Sequence, residues 1–133
     1  MIIPYNIRRP FIWLRDLPRE IRWFIQRGKR GYADCDLWSF DNYLANMLPK
    51  ALRQFKERLY AYPATDGAET PEKWNSILDQ MIEGFEAIRD NDDDFIRPGE
   101  NDGTAYIERY HVAQSKLDHS MQLMSKWFTS LWW

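Results

Sequence analysis

The stretch Arg30-Gly31-Tyr32-Ala33-Asp34-Cys35-Asp36-Leu37-Trp38-Ser39-Phe40-Asp41-Asn42-Tyr43 joins a basic N-terminal third of the chain to a series of predicted helices. It places four aromatic side chains among three aspartates in a short span. Gly31 supplies the permissive backbone that a turn needs. We therefore expect this stretch to form the turn against which the neighbouring helices pack.

Charge is divided unequally on the two sides of this turn. Residues 1–30 carry eight Lys and Arg against two acids, whereas the remainder carries ten against eighteen. Two interpretations stay open: the basic segment pairs with the acidic body, or it forms an anion site.

Length predicts one domain over residues 1–133. The cysteine content predicts a reducing compartment. Cys35 is the only cysteine, so the chain cannot form an intrachain disulfide. No apolar run approaches the roughly 20 residues that a membrane-spanning helix needs. We expect a protein of the cytoplasm with no membrane partner.

Upstream of the turn, Pro4 and Pro10 predict an extended arm over residues 1–17. Asp16-Leu17-Pro18 then predicts the start of a helix that runs to about Arg27. Its expected buried positions are Ile21, Phe24 and Ile25.

Downstream, a second helix is predicted from near Asp36 to Tyr62-Pro63. The Asp36 carboxylate can cap its first turn, with Asp34 as the rival cap, and we expect Trp38 to lie in that turn against the core. Large apolar residues then recur in three- and four-residue steps, which is the period of an α-helix.

Two more helices complete the prediction. Thr70-Pro71-Glu72 is a typical helix start, and the residues that follow it form an apolar helical face. Residues 90–103 are predicted to form an acidic loop that contains Pro and Gly. A fourth helix is predicted from about Thr104 to Leu131. The fold class is therefore all-α, a small helical bundle of three to four main helices with an extended N-terminal arm.

Large apolar side chains are concentrated at the end of the fourth helix. At 1.5 Å per residue this helix would be roughly 40 Å long, more than one small domain needs. Exposed apolar patches of this kind mark interfaces, so we expect a homo-oligomer, and the alternative is that the tail folds back on the N-terminal arm. The expected interface residues are Trp127, Phe128, Leu131, Trp132 and Trp133.

The sequence predicts no enzyme, no metal site and no cofactor. His111 and His119 lack the four-residue spacing of helical metal pairs, and one cysteine cannot build a zinc set. The acidic loop lacks glycine at the position where a calcium loop requires it. Three close aspartates, Asp34, Asp36 and Asp41, do not by themselves give the convergent geometry of carboxylate catalysis.

Basic and aromatic residues around the turn form the candidate ligand site. Arginine pairs bidentately with phosphate, and aromatic rings stack on bases. The competing interpretation is that the arginines pair with the acidic body and the aromatic residues pack the core. The candidate residues are Arg22, Arg27, Lys29, Arg30, Tyr32 and Trp38.

The order of these features resembles a widespread family of small proteins of unknown function from tailed phages of the actinobacteriophage type. The resemblance covers most of the chain from about residue 8, and it departs at Trp133 and at the acidic loop. The matching motifs are Arg30-Gly31-Tyr32, Asp36, Trp38, Asp41, Tyr43-Leu44, Tyr62-Pro63, Thr70-Pro71-Glu72-Lys73-Trp74, Ala113-Gln114 and Leu131-Trp132.

This resemblance implies a phage accessory protein in the host cytoplasm that acts by binding. Our first expectation is an antagonist of host defence that sequesters a nucleotide immune signal in the Arg and aromatic pocket. The alternatives are a protein–protein interaction module that uses Trp-rich surfaces, and a nucleic-acid accessory protein, which the acidic body disfavours.

Overall fold

A computed structural model describes residues 5–93 and 103–132, and it contains four α-helices and no strand in those ranges. The all-α prediction is thus confirmed. The helices are α1 (Tyr5–Arg30), α2 (Phe40–Glu57), α3 (Pro71–Asp93) and α4 (Thr104–Trp127), with short 3₁₀ helices at Asp34–Leu37 and Phe128–Ser130.

The chain divides into two compact units, residues 1–43 and residues 44–133. The first unit contains α1, the first 3₁₀ helix and the start of α2, and the second contains the rest. That the whole chain forms a single domain stays a prediction. No helix in the described ranges combines the length and apolarity that crossing a membrane requires.

The predicted extended arm is wrong over residues 5–17, because α1 begins at Tyr5 and includes both Pro10 and Pro18. A proline inside a helix removes one backbone hydrogen bond and introduces a local clash. In α1 the helix continues through both positions, so neither proline ends it. Residues 1–4 of the predicted arm lie outside the described residues.

The start of α2 also differs from the prediction. The helix begins at Phe40, and Asp36 belongs to the preceding 3₁₀ helix, so Asp36 does not cap α2. Its carboxylate instead reaches back to the amide of Ala33. The helix ends at Glu57, before the predicted Tyr62-Pro63 stop, and it keeps Pro49 buried in its interior.

Helix α3 begins as predicted, at Pro71. The amide of Lys73 donates to Oγ1 of Thr70 at 3.2 Å, which is the hydrogen bond of an N-cap. The helix continues to Asp93, so the first part of the predicted acidic loop is helical. The remainder of that loop, residues 94–102, lies outside the described residues.

The core of the second unit gathers on the predicted apolar face of α3, joined by side chains from α2, α4 and the segment between α2 and α3. Its buried members are Leu52, Ala68, Trp74, Ile77, Leu78, Met81, Ile82, Phe85 and Trp127. Helices α3 and α4 approach closely at Gly84, where the hydroxyl of Ser120 donates to the carbonyl of Gln80 at 2.8 Å.

Candidate functional site: the 31–38 turn and helix α1

The first unit is organised by the turn of residues 31–38, called here the 31–38 turn. Gly31 has φ +84°, in the left-handed region that favours glycine, and its amide donates to the carbonyl of Arg27 at 2.9 Å. The hydroxyl of Tyr43 donates to the Gly31 carbonyl at 3.0 Å. The end of α1 and the start of α2 are therefore tied together at this glycine.

Asp36 is the buried polar residue of the turn, with 8% of its surface exposed. Arg27 binds it bidentately, with Nε at 3.0 Å from Oδ2 and Nη2 at 2.6 Å from Oδ1. The amide of Ala33 also donates to Oδ2, at 2.7 Å. These bonds stabilise the ionised carboxylate and lower the pKa of Asp36 to about 2. The hydrogen bonds from Arg27 are the largest cause of this shift, and the bond from the Ala33 amide is the next largest.

Asp34 holds a second set of side chains from α1. The side-chain amide of Gln26 donates to Oδ2 at 2.8 Å and accepts from the Asp34 amide at 2.9 Å. Arg30 donates to Oδ1, and the Nη2 of Arg22 lies 3.7 Å from Oδ2. The hydrogen bond from Arg30 is the main cause that lowers the pKa of Asp34.

Trp38 is exposed and does not lie in the core, contrary to its predicted place. It has 75% of its surface exposed and meets Trp23 edge to face, with the ring centroids 5.7 Å apart. The guanidinium of Arg19 lies over the other indole, that of Trp23, at 4.8 Å from its centroid. The indole of Trp38 is thus held against α1 while most of its surface faces outward.

All these contacts use one side of α1. At about 100° per residue, Trp23, Gln26 and Arg27 fall on the same side of the helix. The side of α1 away from Trp23 carries Leu14, Ile21 and Ile25, which lie within about 40° of one another around the helix axis. Phe24 lies at the border of this side. We call these four residues the α1 apolar face.

The α1 apolar face is exposed, although Ile21, Phe24 and Ile25 were predicted to be buried. Phe24 has 77% of its surface exposed, and the other three are also exposed. The physical reason is that the polar side chains that bind the 31–38 turn leave α1 on the side away from Leu14, Ile21 and Ile25, so the turn does not cover these residues, and Phe24 lies at the edge of the covered side. An amphipathic helix whose apolar face is uncovered can bind the groove of a partner.

A row of cations borders this face. Arg15, Arg22 and Lys29 follow one another at seven-residue spacing, so they lie along one edge of the helix, and all three are exposed. Between Leu14 and Arg30 the helix carries six cations against two acids. The α1 apolar face therefore has a positively charged edge.

The predicted ligand residues are only partly brought together. Arg22 and Arg30 meet at Asp34, Arg27 binds Asp36, and the Arg30 guanidinium lies over the Tyr32 ring at 4.7 Å. Lys29 is exposed, and Trp38 packs against Trp23. Two of the guanidinium groups already bind carboxylates closely, so a phosphate would compete with Asp34 and Asp36 for them. Their role as a ligand site stays a prediction.

The residues predicted for an oligomer interface have different environments. Trp127 is buried in the core of the second unit, where its ring centroid lies 5.4 Å from that of Trp74. Phe128 and Trp132 are exposed, and Leu131 is half-buried. Trp133 lies outside the described residues. Trp127 is therefore unavailable as a contact for a second copy, whereas Phe128 and Trp132 remain at the surface.

Sequence reasoning missed Gln26 and Arg19 as parts of this arrangement. A signal was present, because Arg22, Gln26 and Arg30 recur at four-residue spacing, as do Arg19 and Trp23.

Within the part of the chain that the structure describes, no three His, Cys, Asp or Glu side chains are grouped to hold a metal ion.

Comparison with known proteins adds no relative. No family model, no curated protein and no solved structure matches this chain.

Proposed function

We propose that this protein is an interaction module without catalytic activity, which places the α1 apolar face in a groove of a partner protein. The observation that supports this most is the exposure of that face, with Phe24 77% exposed. An apolar face of this kind is the usual docking surface when a helix binds in a groove, with contacts at three- and four-residue steps.

The 31–38 turn prepares the helix for binding. Because Arg27 and Gln26 bind Asp36 and Asp34, the turn covers the polar side of α1 and leaves the apolar side available. A helix that is already ordered loses less conformational entropy when it binds. The ion pairs of the turn therefore favour binding even though they contact no partner.

The charge on α1 indicates the chemistry of the partner. Arg15, Arg22 and Lys29 border the apolar face, so an apolar groove with an acidic rim would be complementary to it. Such complementarity raises the association rate and excludes basic partners. We propose that the partner is a protein of that kind, from the phage or from its host.

The biological setting that we propose follows from the resemblance to tailed-phage proteins: a phage accessory protein that acts in the host cytoplasm. We also propose self-association through the exposed Phe128 and Trp132, because exposed aromatic side chains favour interfaces. Light scattering that finds only monomer at micromolar concentration would remove the self-association proposal and leave the α1 proposal intact.

Photo-crosslinking tests the α1 proposal in cells. A benzoylphenylalanine placed at Phe24 should give a covalent adduct with a distinct protein, identified by mass spectrometry. The matched control carries the same group at Tyr60, an exposed aromatic residue of the second unit, and should not give that adduct. The proposal fails if both positions give the same adducts, or if Phe24 crosslinks only to another copy of this chain.

The nucleotide-sequestering function remains the alternative, with Arg27, Arg30, Tyr32 and Trp38 as its site. The Arg30–Tyr32 stack supports it, because a ring beside a guanidinium can bind a base and a phosphate. A thermal-shift panel of cyclic dinucleotides and ADP-ribose derivatives separates the two functions. We expect no stabilisation, and a saturable one that Arg30→Ala removes would favour the nucleotide over the protein partner.

A further inference from the structure

Helix α4 of the second unit exposes an apolar stripe that the α1 proposal does not use. Ile107 and Met121 each have 53% of their surface exposed, and Tyr110 and Phe128 are also exposed. Ile107, Gln114 and Met121 follow one another at seven-residue spacing, and Phe128 comes one heptad later, directly after α4 ends. Each heptad shifts the position around the helix axis by only about 20°. We call these five residues the α4 stripe.

A second apolar row runs beside the α4 stripe and connects it to the core. Its members Leu117 and Met124 are half-buried and pack against the core of the second unit. Together the two rows fill seven consecutive a and d positions of a heptad repeat, in which Gln114 is the polar member. The stripe is about 32 Å long, which is the width of a small domain. A helix with such a seam packs lengthwise against another helix.

Gln114 indicates what covers the stripe. Its side-chain amide donates to Oδ1 of Asp118 at 3.0 Å, which uses one of its two N–H donors and leaves its carbonyl oxygen as an acceptor. An amide left unpaired in a helix interface would be destabilising. The Gln114 amide of a second copy supplies the matching donor and acceptor at the same level of the seam. A single polar residue at an a position fixes the register of two paired helices in this way.

The charges of α4 also favour a second copy over a different protein. The five residues of the α4 stripe are uncharged, whereas the α1 apolar face has a cationic edge that is complementary to an acidic partner. An uncharged stripe has no electrostatic complement that would select a distinct partner. It is complementary to itself, because a twofold axis sets each apolar residue against an apolar residue.

Asp118 determines the orientation of the pair. Antiparallel pairing centred on the stripe would place the middle of one helix, near Asp118, against the same point of the other helix. The two Asp118 carboxylates would then lie on one flank of the seam, where like charges repel. Parallel pairing sets Gln114 against Gln114 and places the two Asp118 side chains on opposite flanks.

We propose that two copies of this chain pair in parallel through α4, with the α4 stripes in contact along a twofold axis and the two Gln114 amides hydrogen-bonded to each other. This inference rests on the self-association proposed above, and it adds the helix, the register and the orientation. Phe128 belongs to the contact as the last residue of the stripe, whereas Trp127 lies in the core and takes no part.

Disulfide crosslinking of the full chain tests the register and the orientation. Cys35→Ser removes the only cysteine, and each test cysteine is added to that variant. Under mild oxidation, Gln114→Cys should give mainly disulfide-linked dimer. Gln122→Cys, exposed on α4 about 80° around the helix from Gln114, should give at least about fivefold less. When Gln114→Cys and Met121→Cys are mixed, predominant linkage between the two positions would show antiparallel pairing and overturn the proposal.

Sedimentation velocity measures how much the stripe contributes to pairing. Met121→Lys should raise the Kd of the dimer roughly tenfold or more, because it places a charge in the seam. Val112→Lys is the matched control, since Val112 is exposed on the opposite side of α4, and it should leave the Kd within about threefold. Both residues are exposed, so both variants should keep the wild-type helical circular dichroism.

The outcomes separate this inference from the self-association on which it rests. A wild type that stays monomeric at micromolar concentration would refute both. A wild-type dimer that Met121→Lys leaves as tight as before, or in which Gln114→Cys crosslinks no better than Gln122→Cys, would overturn the parallel α4 pair and leave self-association standing.

Discussion

Arg27 and Asp36 form a bidentate ion pair across the 31–38 turn, with one guanidinium nitrogen facing each carboxylate oxygen at 3.0 and 2.6 Å. The carboxylate is buried, and the Ala33 amide is a third donor to it. Paired hydrogen bonds of this kind fix the relative orientation of the two groups as well as their distance. The pair therefore determines which side of α1 faces the turn and which side is available to a partner.

The Asp36 carboxylate should titrate far below its ordinary pKa. The pKa is lowered from 3.8 to about 2, so the stabilisation it provides is complete above pH 4 and is lost as the pH falls towards 2. The amide of Ala33 reports on this titration, because it donates to Oδ2.

An NMR titration of the Ala33 amide shift checks this prediction. We expect a midpoint near pH 2 in the wild type and no such transition in Asp36→Asn. A wild-type midpoint at or above 3.8 would contradict the ion pair.

The close approach of α3 and α4 depends on Gly84. A Cβ at this position would overlap the Ser120 hydroxyl and the backbone carbonyl of Lys116, and backbone cannot move aside as a flexible side chain can. We expect Gly84→Ala to lower the free energy of unfolding by about 1–3 kcal/mol.

The control for that measurement is Gly28→Ala, in α1, where a Cβ would have nothing within 4 Å. Alanine is the better helix former, so this change should leave stability equal or raise it by about 0.5–1 kcal/mol. Urea denaturation measures both variants. Equal effects of the two substitutions would show that α3 and α4 do not pack this closely.

Trp127 should behave as a core residue. It is buried against Trp74, so Trp127→Ala should cost about 3–5 kcal/mol of unfolding free energy. Phe128 is its exposed neighbour, and Phe128→Ala should change stability by less than about 1 kcal/mol. A larger loss for Phe128 than for Trp127 by chemical denaturation would reverse the assignment of core and surface at the end of α4.

Local signals predicted the second unit better than the first. Thr70 and Pro71 start α3 by bonds within one helical turn, and the apolar face from Trp74 to Phe85 is the buried one. Both features depend on residues that are close in sequence. The Gly84 contact was not predicted, because it depends on how two helices meet.

The candidate site was harder to predict because its contacts join a helix to a turn. The sequence suggested Asp36 as a cap, whereas the structure uses it as the partner of Arg27. The apolar positions of α1 predicted a buried stripe, and the structure leaves Phe24 exposed. Periodicity identifies an apolar face, but it does not say whether this chain or a partner covers that face.

The cationic edge of α1 should accelerate association with an acidic partner. Replacing Arg15 and Lys29 by Gln should lower the association rate at low salt, and the difference should disappear in 1 M salt, where the Debye length is about 3 Å. Stopped-flow or surface-binding kinetics measures it. Arg58→Gln, an exposed arginine of the second unit, serves as the control and should leave the rate unchanged. A loss that persists at high salt would mean that these side chains act by contact.

The central claim is tested most directly by calorimetry, which measures how tightly Phe24→Ala binds the partner protein that is identified by photo-crosslinking at Phe24. Phe24 is exposed, so its removal should leave unfolding unchanged within about 0.5 kcal/mol, while the loss of an interface anchor worth about 2 kcal/mol should weaken binding roughly 30-fold. Trp38→Ala, whose indole packs on Trp23 about 100° around α1 from Phe24, should bind within threefold of the wild type. If Phe24→Ala binds as tightly as the wild type, or if it instead destabilises the free protein by several kcal/mol, the α1 apolar face is not the docking surface.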